Sequence, residues 1–203
     1  MEGQPKAKII PEGLLFREPV KERLIILDLN GILVHRVFEK DRSKDQMNGV
    51  NGKDCVREGN FIIRKRPGCD EFLDSIFARA EVGIWSSAMK HNVIPMAKYI
   101  MGDHYKDLLF IWDKDDCEKI KAVVEGEQPT FAKNLRTVWD KYPCFNEDNT
   151  IIIDDSEAKM INNPKACHRN PGKWEHGVID AESKAVELSS LQVFQSSTDE
   201  STE

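Results

Sequence analysis

Residues 24–35 read "LIILDLNGILVH": four apolar residues, the carboxylate of Asp28, and then the pair Asn30-Gly31. A short, unbroken apolar run closed by a turn-forming Asn-Gly reads as a strand buried on both faces. Strands of that kind belong to the interior of parallel sheets, where helices cover both sides. Asp28 then falls at the carboxyl end of the strand, the edge at which open α/β sheets collect their functional groups.

Three more apolar runs follow: "EVGIW" at 81–85, "DLLFIW" at 107–112 and "TIII" at 150–153. Helical spacing separates them. In "PGCDEFLDSIFARA" (67–80), Phe72, Ile76 and Phe77 share one face, and Pro67 sits where a first helical turn accepts proline. "AMKHNVIPMAKYIM" (88–101) reads as a helix interrupted or restarted at Pro95. "FAKNLRTVWDKY" (131–142) is helical by the spacing of Phe131, Leu135 and Val138, and "CEKIKAVVEG" (117–126) offers a further helix. Strands alternating with helices predict an α/β fold, a Rossmann-like parallel sheet with helices on both faces. The charged stretch 38–60, with two Asn-Gly pairs, reads as a flap-like insertion after the first strand, and "FIIRKRPG" (61–68) as a short strand behind it.

The 203 residues suffice for one domain with a sizeable core. The expected division is an N-terminal arm at 1–22, one domain at 23–188 and a disordered Ser/Thr/acidic tail at 189–203. Hydrophobic content is 40% and no apolar run approaches the roughly 20 residues that cross a bilayer, so no membrane association is expected. The opening "MEGQPKAKIIPEG" has no apolar leader segment, which points to cytoplasm and/or nucleus. A net charge of −6 argues against direct nucleic-acid binding. Cys55, Cys69, Cys117, Cys144 and Cys167 are scattered singly, against both a disulfide framework and a zinc site.

Three strand ends carry polar groups suited to one site: Asp28, Ser86-Ser87, and Asp154-Asp155, with Lys133 just before the last strand. Together they are the parts that magnesium-assisted phosphoryl transfer through an aspartyl-phosphate requires. Asp28 would attack phosphorus. Mg²⁺, a hard cation that prefers oxygen, would be held by Asp28, the carbonyl of Asn30, Asp154 and Asp155. Ser86, Ser87 and Lys133 would grip the phosphoryl oxygens, with Arg66 as a further candidate for the phosphate. Each residue also has an ordinary use: Asp28 as a turn residue, the serines and Asp154-Asp155 as helix caps, Lys133 as a solvated lysine, Arg66 in a structural ion pair.

In that order, "LDLNGILVH", "KRPGCDEFL", "IWSSA", "KNL" and "IIIDDSE" resemble the FCP/SCP-type phosphatases of the haloacid dehalogenase superfamily, which include the RNA polymerase II C-terminal-domain phosphatases. The similarity covers roughly residues 22–165, and the "DLNG" form of the first motif places it with the DLNG subgroup. It implies a Rossmann-like core with a small insertion, here 113–130, between the second and third motifs. It also implies Asp28 as the phosphorylated nucleophile, Ser86 as the second-motif hydroxyl, Lys133 as the third-motif lysine and Asp154-Asp155 as the metal pair, acting with Mg²⁺ on a phosphorylated protein or peptide. Position 30 is the family's general acid/base, and here it is a neutral amide. Loss of that proton transfer is worth about 10² to 10⁴ in rate. Two readings follow, a slow or selective phosphatase and a pseudophosphatase that binds phosphopeptides without turning them over.

Overall fold

The structure is a computed structural model that describes residues 18–38, 55–120, 129–163 and 167–169. The "LIIL" run forms β1 (Leu24–Leu27) at the centre of a five-stranded sheet. The "EVGIW", "FIW" and "TIIID" runs supply β5 (Glu81–Trp85), β6 (Phe110–Trp112) and β9 (Thr150–Asp154), and β10 (Cys167–Arg169) closes one edge. The order is β10-β9-β1-β5-β6, and every pairing is parallel. The chain leaves β1 toward β5 and β6, then returns to β9 on the other side. The point where strand order reverses, beside β1, is where such sheets bind ligands.

Alternation along the strands sends successive side chains to opposite faces. Ile25, Leu27, Val82, Ile84, Ile151 and Ile153 join one core with Ile76, Phe77, Val93 and Ile100 of the two larger helices, α1 (Cys69–Arg79) and α2 (Lys90–Met101). Leu24, Ile26, Trp85 and Ile152 join a second core under Leu135 and Val138 of α3 (Leu135–Lys141). Helices therefore cover both faces, as the apolar runs predict. Trp85 and Trp112 lie edge-to-face within the second core at 4.8 Å, and among the described residues Cys55, Cys69, Cys117 and Cys144 take part in no disulfide.

Several local readings change. The flap is wider than 38–60: it is an antiparallel sheet in the order β2-β4-β3, from Val34–Phe38, Phe61–Lys65 and Cys55–Glu58. "FIIRK" thus belongs to the flap rather than to the central sheet, because its partners are β2 and β3. The expected helix in 117–126 begins as a strand, β7 (Glu118–Ile120), paired antiparallel with β8 (Thr130–Ala132). Phe131 is accordingly in β8, and α3 starts only after Asn134, whose side chain accepts the Arg136 N–H at the helix N-cap. The two strands form the small insertion between the second and third motifs; residues 121–128 lie outside the described ones. α2 runs through Pro95, forgoing one backbone bond instead of restarting.

Of the N-terminal arm, the last residues are held by Glu81, whose Oε1 accepts the N–H groups of Val20 and Lys21 at 2.8 and 3.0 Å. Residues 1–17 and the 189–203 tail lie outside the described residues. Among those described, no helix is long and apolar enough to cross a membrane.

Gly83 lies under close packing between β5 and β6, since a Cβ there would meet the Phe110 ring at 2.4 Å. Gly83→Ala is expected to cost about 1–3 kcal/mol through overpacking, read as a lower urea midpoint with an unchanged slope.

Candidate active site

Register brings the first carboxylates together. Leu27 stands opposite Ile153 in parallel pairing, so Asp28 and Asp154 are neighbours at the ends of β1 and β9, and the Asp28 N–H donates to the Ile153 carbonyl at 3.0 Å. Both continue the parity of Ile26 and Ile152, and so face the side covered by α3. Lys133 lies just before α3, on that same side, and is completely buried. Its Nζ donates to Asp154 Oδ2 in a short contact and lies 3.5 Å from Asp28 Oδ1. Asn163 fixes this stretch of backbone: its Oδ1 accepts the Leu135 N–H at 2.9 Å, and its Nδ2 donates to the Lys133 carbonyl.

Asp155 follows on the rim. Asp28, Asp154 and Asp155 can each offer an oxygen within 4.8 Å of the others, a hard-donor set of the kind Mg²⁺ takes. Asp28 Oδ1 is also buried without a hydrogen-bond partner, its ion pair with Lys133 spanning 3.5 Å, which leaves an acceptor that a closer cation would satisfy. The residues fit a divalent ion on both counts.

One member of the cluster escaped the sequence reading. Lys159, in the single 3₁₀ turn Glu157–Met160, places its Nζ 3.0 Å from Asp28 Oδ2, 3.3 Å from Asp154 Oδ1 and 3.4 Å from Asp155 Oδ1. The spacing Asp155-x-x-x-Lys159 was the available signal. Burial alone would favour neutral Lys159, but the three carboxylates outweigh it and hold the ammonium above its ordinary range. Burial likewise opposes ionisation of Asp154, yet Lys133 and Lys159 keep its carboxyl below the usual range. Asp155 moves the other way: burial raises it, Lys159 offsets part of that, and Asp154 and Asp28 repel its charge.

The remaining predicted residues surround this cluster. Ser86 is buried past the end of β5, where its Oγ accepts the Ala88 N–H at 3.3 Å, and Ser87 follows half-buried. Asn30 is exposed, and its Oδ1 accepts the Arg36 N–H at 3.0 Å, tying the turn after β1 to β2. Arg66 is buried and braces that turn from behind: Nη2 donates to the Gly31 carbonyl at 2.8 Å, and its backbone N–H donates to the Leu33 carbonyl. Through Nη2 the guanidinium is thus tied to the turn. Gly31 has φ +88°, and a Cβ there would lie 2.2 Å from Asp155 Oδ2, so the turn and the Asp155 rim are packed against each other.

The sequence model of the NLI interacting factor-like phosphatases matches residues 23–200. The chain belongs to this family. Its similarity to an FCP1 homology domain-containing protein of Schizosaccharomyces pombe is 34% identity over 151 residues, 70% of this chain and 57% of that protein. A CTD phosphatase-like protein of Invertebrate iridescent virus 6 is 28% identical over 161 residues, 70% of this chain and 81% of its own length. The solved structure of Fcp1, described as an essential RNA polymerase II CTD phosphatase, superposes with a TM-score of 0.54 at 20% identity, covering 86% of this chain and 48% of that one. A fission yeast Fcp1 variant bound to beryllium fluoride gives 0.53 at 19% identity, covering 86% and 50%. The chain therefore spans about half to three-fifths of the length of the fission yeast relative and of the Fcp1 structures. These structural likenesses establish an Fcp1-like α/β fold, and membership of the NLI interacting factor-like family supports phosphatase chemistry.

Two outcomes follow from the buried charges. Lys133→Met leaves Asp28 and Asp154 without their buried cation and is expected to cost about 3–5 kcal/mol, measured by urea unfolding. Because folding holds Asp154 below its ordinary range, its contribution is complete above the usual carboxylate value of about 4 and is lost as pH falls below it. Unfolding free energy measured from neutral to acid pH should fall more steeply for wild type than for Asp154→Asn.

Proposed function

We propose that the protein is a magnesium-dependent phosphoprotein phosphatase that acts on phosphoserine or phosphothreonine through a phosphorylated Asp28, with slow or selective turnover. The observation that carries this reading is the convergence of Asp28, Lys133, Asp154 and Asp155 at one strand-order reversal, with Lys133 within ion-pair distance of Asp28 and Asp154 and the three carboxylates able to offer oxygens within 4.8 Å of one another. Relatives named as CTD phosphatase or CTD phosphatase-like support a phosphorylated protein substrate.

The chemistry proceeds in two displacements. An Asp28 carboxylate oxygen attacks phosphorus, the bond from phosphorus to the ester oxygen breaks, and the alcohol oxygen leaves with its electron pair. Water then attacks phosphorus, the bond to Asp28 breaks, and inorganic phosphate departs. Lys133 stabilises negative charge on the phosphoryl oxygens, and the Ser86 hydroxyl donates to one of them. Asp28, Asp154 and Asp155, with the Asn30 carbonyl, would hold Mg²⁺, which offsets the repulsion between carboxylate and phosphate. Arg66 positions the turn through Gly31 and does not touch the reacting atoms.

Asn30 can orient through hydrogen bonding but cannot protonate the departing oxygen. The leaving group then takes its proton from water, so substrates with acidic leaving groups lose least. An aspartate at position 30 would keep the acceptor that holds the Arg36 N–H and would add the missing acid.

Hydrolysis of an aryl phosphate in Mg²⁺ should disappear in Asp28→Asn. Asn30→Asp should raise turnover of a phosphoserine peptide by about 10² or more, and that of the aryl phosphate by less. Equal inertness of wild type, Asp28→Asn and Asn30→Asp, with phosphopeptide binding retained in calorimetry, would replace the enzyme with a pseudophosphatase.

A further inference from the structure

Lys159 adds a cation at the place where the proposed reaction needs a metal. Its ammonium lies 3.0 to 3.4 Å from one oxygen each of Asp28, Asp154 and Asp155, the same three residues whose oxygens form the candidate divalent site. A divalent ion held by these three carboxylates would sit close to the Lys159 ammonium, and the two repel because both are positive and both draw on the same three negative charges.

The two lysines differ in their freedom to yield. Lys133 is 0% exposed, bound to Asp154, and its backbone is fixed at both ends of its peptide units by Lys159 and Asn163. The Lys159 side chain is 20% exposed and reaches the carboxylates from the solvent side, where Asp155 is 42% exposed. Its flexible four-carbon stem allows the ammonium to withdraw while the backbone stays in place. Three carboxylates against two ammonium groups leave one unit of negative charge, less than a divalent ion would meet if Lys159 were absent.

Resting on the phosphatase reading above, we propose that Lys159 is a displaceable internal cation that competes with the divalent metal for Asp28, Asp154 and Asp155. It holds the carboxylates together when no metal is bound, and it lowers the affinity with which metal enters. Metal occupancy, and with it activity, then responds to divalent ion concentration over a higher range than three unopposed carboxylates would give.

The test measures metal binding directly. Mn²⁺ affinity of the full chain is determined by electron paramagnetic resonance of the free ion, with Mg²⁺ as competitor, for wild type, Lys159→Met and Lys159→Gln. Both variants should bind Mn²⁺ about tenfold tighter or more. Their melting temperature in EDTA should fall while their rise on adding Mn²⁺ grows. Acetylation of wild-type protein read by mass spectrometry supplies a second measurement that needs no variant: saturating Mg²⁺ should speed modification of Lys159 and leave Lys133 protected. Variants that bind Mn²⁺ no tighter than wild type, or Lys159 modified no faster with Mg²⁺, would overturn the competition while leaving the phosphatase reading intact. If neither wild type nor variants bind Mn²⁺, the metal-dependent reading falls as well.

Discussion

Lys133 carries its charge in a place that water does not reach, and the site is arranged around that fact. An ammonium group buried without partners would be strongly disfavoured, so two carboxylates must lie within reach of it. The parallel register of β1 and β9 supplies them by setting Asp28 beside Asp154, and strand alternation turns both toward the side where α3 packs. Lys133 precedes α3 by two residues, so the packing of Leu135 and Val138 delivers the cation to the pair. Hydrophobic assembly and electrostatic pairing are therefore one event: the second core cannot close properly unless these charges meet.

The apolar runs made the centre of the fold legible. "LIIL", "EVGIW" and "TIII" can be stable only with both faces covered, and that requirement leads to the sheet and its helices. The edges were less legible. β10 is three residues long, Cys167–Arg169, and has no apolar run to announce it. The flap strands β2 and β4 depend on pairing His35 with Arg64 and Arg36 with Ile63, partners distant in sequence, so no local pattern marks their limits. Phe131 has the spacing of a helical core residue, yet it is half-buried in β8 with the Lys114 ammonium over its ring at 4.2 Å, so helical spacing alone does not place it.

The site divides in a similar way. Asp28, Asp154 and Asp155 stand at the ends of predictable strands, and their convergence is a consequence of topology. Lys133 could be placed relative to the last strand. Lys159 comes instead from one turn of 3₁₀ helix whose polar sequence resembles any solvated surface segment, and its role depends on where a long side chain folds back. A basic cluster in sequence carries no information on burial, so the structural side of Arg66, its contact with the Gly31 carbonyl, appears only once the turn is formed.

The acceptor role of Asn30 Oδ1 separates architecture from reactivity at this position. Asparagine and aspartate present the same oxygen to the Arg36 amide, and their codons differ by a single base. A lineage can therefore cross between proton-transferring and amide forms in one mutational step without rebuilding the hinge of the flap. Under the proposed function, selection acting there would adjust catalytic tempo while keeping the acceptor that ties the turn to β2.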